Sequence, residues 1–407
     1  MARTKYGVAP WLGPAKRSKP TYPVLAGAVD VQAAIIGGGL AGAATAYACA
    51  AAGVRVAILE AGRIGHGPSG RSAGLILQSP AQAFADMKRA HGRRAARAIW
   101  TAWRRAALEL ATTIRRLNLR SGLTPADAVI WGPGGDRAVA LRRELAARRE
   151  GGLEGTWLTP RALAALGVEG AAGIRTKGDA LVDPARLCQG FARAAAVRGA
   201  AVFERTAATR IHPAGRRLAL HTARGVVSCE TVVIATGEPT ALFDPLARHF
   251  EMRESYVVQT APIPPQVRSA TPDRHVIIQD VEQPPHRLAW TAGDRILWSG
   301  ADQPRTPERL REKTLVQRTG QLMYELSLML PAISGIQPEY GWDAPYSVAR
   351  DGLPFIGPHR NYPRHLFALG LGTNAAAAFL ASRILLRHLT GASQKGDDVF
   401  GFARLPR

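Results

Sequence analysis

One stretch, 31-VQAAIIGGGLAGAATAYACAAAGVRVAILEAG-62, constrains this chain more than any other. Val31 to Ile36 is a short apolar run fit for a buried parallel strand. Leu40 to Ala52 favours a helix, Gly53 stands where a C-terminal capping glycine belongs, and Val54 to Leu59 forms a second buried strand ending at Glu60. Gly37, Gly39 and Gly42 fall between the first strand and the helix at the spacing G-x-G-x-x-G. The first glycine permits a tight turn, the second lets backbone approach a pyrophosphate, and the third packs helix against sheet. The start of the helix offers N–H groups and partial positive charge to phosphates, and Glu60 can accept hydrogen bonds from ribose hydroxyls. A dinucleotide is therefore expected here. The segment itself leaves FAD and NAD open, and Arg63 just beyond Glu60 keeps NADP in view.

The rest of the 407 residues supplies the surroundings. Residues 1–29 are rich in Pro and Gly and read as an irregular arm, and 80–150 reads as mainly helical around Trp100, Trp103 and Trp131. Thr159-Pro160 and Asp183-Pro184 each look like an N-cap followed by proline in the first helical turn. Short strands are expected near 201–204, 217–222, 225–228 and 231–237, with β-rich runs over 255–300 and a helix over 307–329. A strand over 365–370, a glycine turn and a helix over 373–389 follow.

No run is long and apolar enough for a membrane span, and the first twenty residues lack a secretory pattern. Cys49, Cys188 and Cys229 show neither metal spacing nor a disulfide framework, so no metal is expected and a cytoplasmic setting is. The formal net charge of +22 would attract polyanions. Groups such as Arg93–Arg94–Arg97, Arg115–Arg116 and Arg142–Arg143 have the spacing of solvated helix faces, and no nucleic-acid-binding motif accompanies them. A nucleic-acid partner is thus disfavoured by pattern though left open by charge.

Four later stretches favour FAD: 65-GHGPSGRSAGLI-76, 182-VDPARL-187, 232-VVIATG-237, and 351-DGLPFIG-357 followed by 369-LGLGTNA-375. In order and spacing, from about residue 31 to 392, they resemble the D-amino-acid oxidase-like superfamily of FAD enzymes, which contains glycine, sarcosine and γ-glutamylputrescine oxidases. The resemblance implies that Ser69, Gly70, Arg71 and Gly74 belong to a loop wrapping the FAD, and that Ala208 lies against the adenine. It implies Thr236 and Gly237 near the pyrophosphate, and Gly352, Gly370, Gly372, Thr373 and Asn374 at the flavin. A helix starting at Thr373 or Asn374 would aim its N-terminus at the flavin N1–C2 carbonyl edge and stabilise the reduced form.

The same resemblance implies an α/β fold. A Rossmann-like FAD domain is expected from 28–86, 168–242 and 341–392, and a mostly antiparallel substrate domain from 87–167 and 243–340. An arm over 1–27 and a tail over 393–407 flank them. The implied reaction is C–N bond oxidation of a small amine or amino acid, with hydride passing to flavin N5 and the imine then hydrolysed. Dioxygen or another acceptor, such as a quinone or a protein, would reoxidise the flavin.

Tyr346 stands where family members acting on amino acids often place a carboxylate-binding Arg, so Arg287 is the substrate-anion candidate and Arg295 its alternative. Tyr346 and Trp342 are candidates for the pocket wall, and Asn374 completes the catalytic set. Ala375, Ala376 and Ala377 occupy places where sarcosine-type oxidases keep a Gly and a Lys. Ser72 replaces the flavin-linking His of some dehydrogenase relatives, which leaves His66 as a nearby exception and non-covalent FAD as the expectation. Competing functions are a flavoenzyme acting on a modified tRNA base, a flavin-binding protein without turnover, and an NAD-dependent dehydrogenase.

Overall fold

Strand Ala33–Ile36, wholly apolar and wholly buried, forms the middle of a six-stranded sheet in a computed structural model that describes residues 3–13 and 22–404. Val56–Leu59 pairs on one side of it and Thr231–Gly237 on the other, both parallel. Ala201–Phe203 extends one edge, Tyr362–Leu369 and Phe355–His359 the other; only the last pair is antiparallel. Strands buried on both faces need no alternation, hence the continuous apolar runs.

Helix Leu40–Ala51 lies on one face, and every residue from Leu40 to Cys49 is buried. Its Ala-rich sequence suits both helix propensity and close approach to neighbouring backbone. The helix closes with Gly53 at φ 79, where Gly53 N–H donates to the Ala50 carbonyl and Val54 N–H to that of Cys49, the paired bonds of a Schellman cap. Helices Pro184–Ala196 and Ala375–Leu389 pack beside it. Both begin as capping chemistry requires: Asp183 accepts from the Arg186 amide (2.9 Å) and Asn374 from that of Ala376 (3.0 Å). A four-stranded sheet covers the opposite face through Leu218, Leu220 and Val227.

The third sheet has ten strands, and its central members alternate sides with period two. Tyr256, Val258, Ile296 and Trp298 pack towards helix Glu308–Met329, whereas Val257 and Leu297 face Trp342 and Ala344. Leu75–Ile76, Ala172–Leu181 and Pro338–Ala349 also hydrogen-bond within this sheet, although they begin or lie in segments assigned from sequence mainly to the cofactor domain.

The stretch 80–150 is mainly helical, as expected, with helices Phe84–Arg116 and Gly135–Glu150, but Thr124–Gly132 is a sheet strand between Val276–Gln279 and Ala172–Leu181. Pro125 and Asp127 interrupt its apolar pattern; Asp127 is stabilised by an ion pair with Arg175 at 2.6 Å. The expectation of an irregular arm is corrected: Lys5–Tyr6 pairs parallel to Tyr340–Gly341, Gly27–Asp30 pairs parallel to 225–228, and Trp11 packs edge-on against Trp342 at 5.4 Å. Parts of the expected arm (1–2 and 14–21) and tail (405–407) lie outside the described residues. Among the described residues, no helix is long and apolar enough to cross a membrane.

Candidate functional site

The carboxyl ends of the parallel strands open into a cleft of about 580 Å³. Its first end is the glycine turn. Gly37 and Gly39 line it, and Gly37 adopts φ 107, a conformation open to glycine. Gly42 does not line the cleft. A Cβ built there would lie 1.9 Å from the Gly37 carbonyl oxygen, so its bare backbone is what seats the helix on the turn.

Glu60 lines the same end and accepts from the Gly38 amide through one oxygen and the Gly62 amide through the other, each at 2.7 Å. Each carboxylate oxygen retains further acceptor capacity, so a ribose hydroxyl can join without displacing these bonds. Ser69 also lines the cleft, but its hydroxyl accepts from the Leu40 amide at 3.0 Å. That first-turn donor is thus satisfied within the protein rather than left for a phosphate.

Gly70, Arg71 and Gly74 shape the Ser-Gly-Arg loop from outside the cleft. A Cβ on Gly70 would stand 1.8 Å from the Gly65 carbonyl oxygen, and one on Gly74 2.2 Å from that of Val182. Arg71 forms an ion pair with Asp343, which is 2 % exposed and also pairs with Arg311 at 3.2 Å. The loop is tied to the large sheet by this buried carboxylate. Further along, Ala208, Thr236 and Gly237 line the cleft, and the Gly237 carbonyl accepts from Ser347 Oγ (2.7 Å) and the Gly370 amide (2.9 Å).

Gly372, Thr373 and Asn374 close the other end at the start of the final helix. Asn374 is more committed than its sequence candidacy implied. Its Oδ1 accepts from the Ala376 and Leu77 amides (3.0 and 3.1 Å), while Nδ2 donates to the Leu77 and Ser79 carbonyls (2.9 and 3.3 Å). Both donor hydrogens and both acceptor sites are used, so the side chain ties the helix start to residues 77 and 79. Gly370 (φ 72) and Gly352 (φ 76) lie behind the cleft as turn residues.

An adjoining enclosure of about 20 Å³ shares Ala344, Thr373 and Asn374 with the cleft. Arg287 lines it with Ser255 and Ser299. Arg287 Nε donates to Gln279 Oε1 at 3.0 Å, and no carboxylate among the described residues lies within ion-pair distance of its guanidinium. Burial pulls its pKa down, while Asp302 and Asp280 at longer range partly restore it. Arg295, the alternative, is spent on Glu339 at 2.7 Å.

Tyr346 lines the main cleft and donates to Asp302 Oδ1 at 2.6 Å. Burial first, and the Asp302 carboxylate second, push its phenol far above the ordinary range. Trp342 lines neither space; it is fully buried and donates to the Arg71 carbonyl at 2.8 Å. His66 is likewise absent from the cleft lining. Gln279, Asp302 and Asp343 escaped the sequence reading, although Gln279 is the one polar residue of its strand.

The cradle fits FAD. Close-approach glycines and an acid sit at one end, small residues run along the middle, and a capped helix start faces the other end. Comparison with known proteins agrees. Glycine oxidase of Geobacillus kaustophilus (strain HTA426) is 28% identical over 378 residues, spanning 88% of this chain and 90% of that protein. Gamma-glutamylputrescine oxidoreductase of Escherichia coli (strain K12) is 22% identical over 410 residues, spanning 95% and 89%. The solved Geobacillus kaustophilus glycine oxidase superposes with TM-score 0.76 at 20% identity, over 93% of this chain and 100% of that one. L-proline dehydrogenase from P. horikoshii gives TM-score 0.76 at 18% identity, over 93% and 97%; both structural likenesses speak for the fold. The sequence profile of the DAO family of FAD dependent oxidoreductases matches residues 32–386, the span that builds the whole cleft. The chain belongs to that family and is an FAD-dependent oxidoreductase.

Proposed function

We propose that the enzyme oxidises the C–N bond of a small amino acid, or of a closely related small amine, bound between the flavin end of the cleft and Arg287. The observation that carries this is a part-buried guanidinium lining the enclosure, with one side-chain amide partner and, among the described residues, no carboxylate in direct ion-pair contact. Asp302 and Asp280 act on this cation only at longer range, and a substrate carboxylate would supply a direct partner through charge-assisted hydrogen bonds.

When bound, FAD would supply the two-electron acceptor for a hydride from the substrate carbon bearing nitrogen, the nitrogen lone pair would form an imine that water hydrolyses to carbonyl compound and ammonia or amine, and dioxygen or another oxidant would take up the electron pair.

Arg287 fixes the carboxylate, and Asn374 fixes the start of the final helix against residues 77 and 79. Tyr346, held by Asp302, bounds the substrate side of the cleft. The apolar surroundings exclude water and so strengthen these contacts. Expected cofactor contacts are Gly37, Gly39, Glu60, Ser69, Ala208, Thr236, Gly237, Gly372 and Thr373, with FAD held non-covalently. The test is an anaerobic panel of amino acids and their decarboxylated amines, read as loss of flavin absorbance at about 450 nm. Bleaching by a small amino acid, with its amine counterpart much weaker, is expected; no bleaching by any compound that carries an amine contradicts the assignment.

A further inference from the structure

The helical segment Phe84–Arg116 breaks at Gly92, where φ 77 and ψ 158 are non-helical, and continues from Arg93 against the final helix. Between the two helices and residues 394–400 lies a second cleft, of about 1110 Å³. Arg93, Arg94, Arg97 and Arg105 line one wall, and Arg383 and Arg387 the other. The acids in the lining are already engaged: Glu109 with Arg383 at 2.9 Å, Asp397 with Arg387, and Glu150 with Lys88 at 2.7 Å.

No ion pair forms on Arg93, Arg94, Arg97 or Arg105 among the described residues. Arg383 Nε is buried without a hydrogen-bond partner. In the adjoining space of about 600 Å³, which shares Arg97 and Arg105, the buried Trp100 indole N–H also lacks one. Arg93, Arg94, Arg97 and Arg105 are exposed to solvent, and the two buried atoms without a partner are both donors. The floor between them is apolar, with Leu380, Ile384 and Phe400 each at most 5 % exposed.

Guanidinium groups spaced three and four apart on one helix repel one another, so their gathering does not stabilise the helix. An anion between them would reverse that sign. Arginine offers phosphate two parallel donors, and several arginines suit a chain of phosphoryl groups better than one carboxylate. An apolar floor adds contact for an organic body.

We propose that this cleft binds an organic oligophosphate, with phosphoryl oxygens on Arg93, Arg97 and Arg105 and the apolar part on Leu380, Ile384 and Phe400. It is separate from the cofactor cleft: the final helix lines the cofactor cleft with its first turn and the arginine cleft with its later turns.

The test is titration calorimetry of FAD-saturated protein with ATP and, separately, inorganic tripolyphosphate, with flavin absorbance monitored to show that FAD stays bound. One saturable site per chain is expected for ATP, with tripolyphosphate competing for it. Arg97→Gln with Arg105→Gln should weaken ATP by about tenfold or more. Ala98→Glu, which places a negative charge on the same wall, should do likewise and covers the case in which the double variant fails to fold. Arg216→Gln with Arg224→Gln removes the same charge from exposed positions on the small sheet and should leave ATP affinity unchanged. Equal weakening by both double variants, or binding that never saturates, overturns the site. So does binding of a single-stranded oligouridylate that ATP cannot displace, which would assign the face to nucleic acid.

Discussion

Substituting Gly42 by alanine tests the geometry on which the cofactor cleft depends. The added carbon would meet the Gly37 carbonyl oxygen at 1.9 Å, the Gly37 carbonyl carbon at 3.1 Å and the Ala235 Cβ at 3.4 Å. The two closest atoms are backbone, so no side-chain rotation relieves the contact. Helix and turn must separate by about 1 Å to restore van der Waals distance. Overpacking of this kind costs about 1–3 kcal/mol of stability. It also moves the Gly37–Gly39 backbone away from the helix start, so hydrogen bonds to the pyrophosphate lengthen together. Losing one or two charge-assisted bonds would weaken FAD by about ten- to a hundredfold.

Gly53→Ala is the matched control. Gly53 has φ 79 and nothing stands within 4 Å of where its Cβ would be, so alanine there meets conformational strain alone. It should cost about 1 kcal/mol while FAD affinity stays unchanged. The assay pairs urea denaturation of the apoprotein with FAD titration by flavin fluorescence quenching. If Gly42→Ala binds FAD like the parent, or if both variants lose FAD in step with stability, the packing argument for the third glycine is wrong.

Arg287→Lys keeps the charge but loses the planar fork, and Arg287→Met loses both. Dissociation constants should rise modestly in the first and by about 2 kcal/mol or more in the second for an amino acid, with little change for its decarboxylated amine; equal losses for both ligands would remove Arg287 from carboxylate binding. Asn374→Ala should lower stability by about 2–3 kcal/mol through loss of a helix cap and the bonds to residues 77 and 79. A large fall in turnover with stability unchanged would instead return Asn374 to the chemistry. Asp179 is 2 % exposed and accepts from the Gln78 amide, and burial pushes its carboxyl up to about 6. Because its folded value lies above its unfolded one, its stabilising contribution is full below about pH 4 and is lost as pH rises through about 6, a change of up to about 3 kcal/mol. The melting temperature of the parent relative to Asp179→Asn should therefore fall across that window; a pH-independent difference would contradict the assignment.

The glycine turn was legible because its demands are local. Gly37 needs a positive φ, Gly42 needs absent volume, and the flanking strands are continuous apolar runs. The Asp-Pro start at 183–184 was legible for the same reason, since cap and donor lie three residues apart. Strand Thr124–Gly132 was not, because what stabilises its Asp127 is Arg175 on a neighbouring strand. Nor could Arg287 be separated from Arg295. They lie on paired strands, and the register that sends Arg295 to Glu339 and Arg287 to the enclosure exists after folding alone. Gln279, Asp302 and Asp343 were invisible for that reason too, each meeting its arginine or tyrosine partner across the sheet or from another element.

The most direct measurement is cofactor binding by protein stripped of flavin and then titrated with FAD, with NAD as competitor. The cleft between the glycine turn and the final helix should take up one FAD per chain, yielding a yellow protein that NAD does not bleach or displace. A chain that stays colourless under saturating FAD, or that exchanges it for NAD, would contradict the role assigned to the cleft.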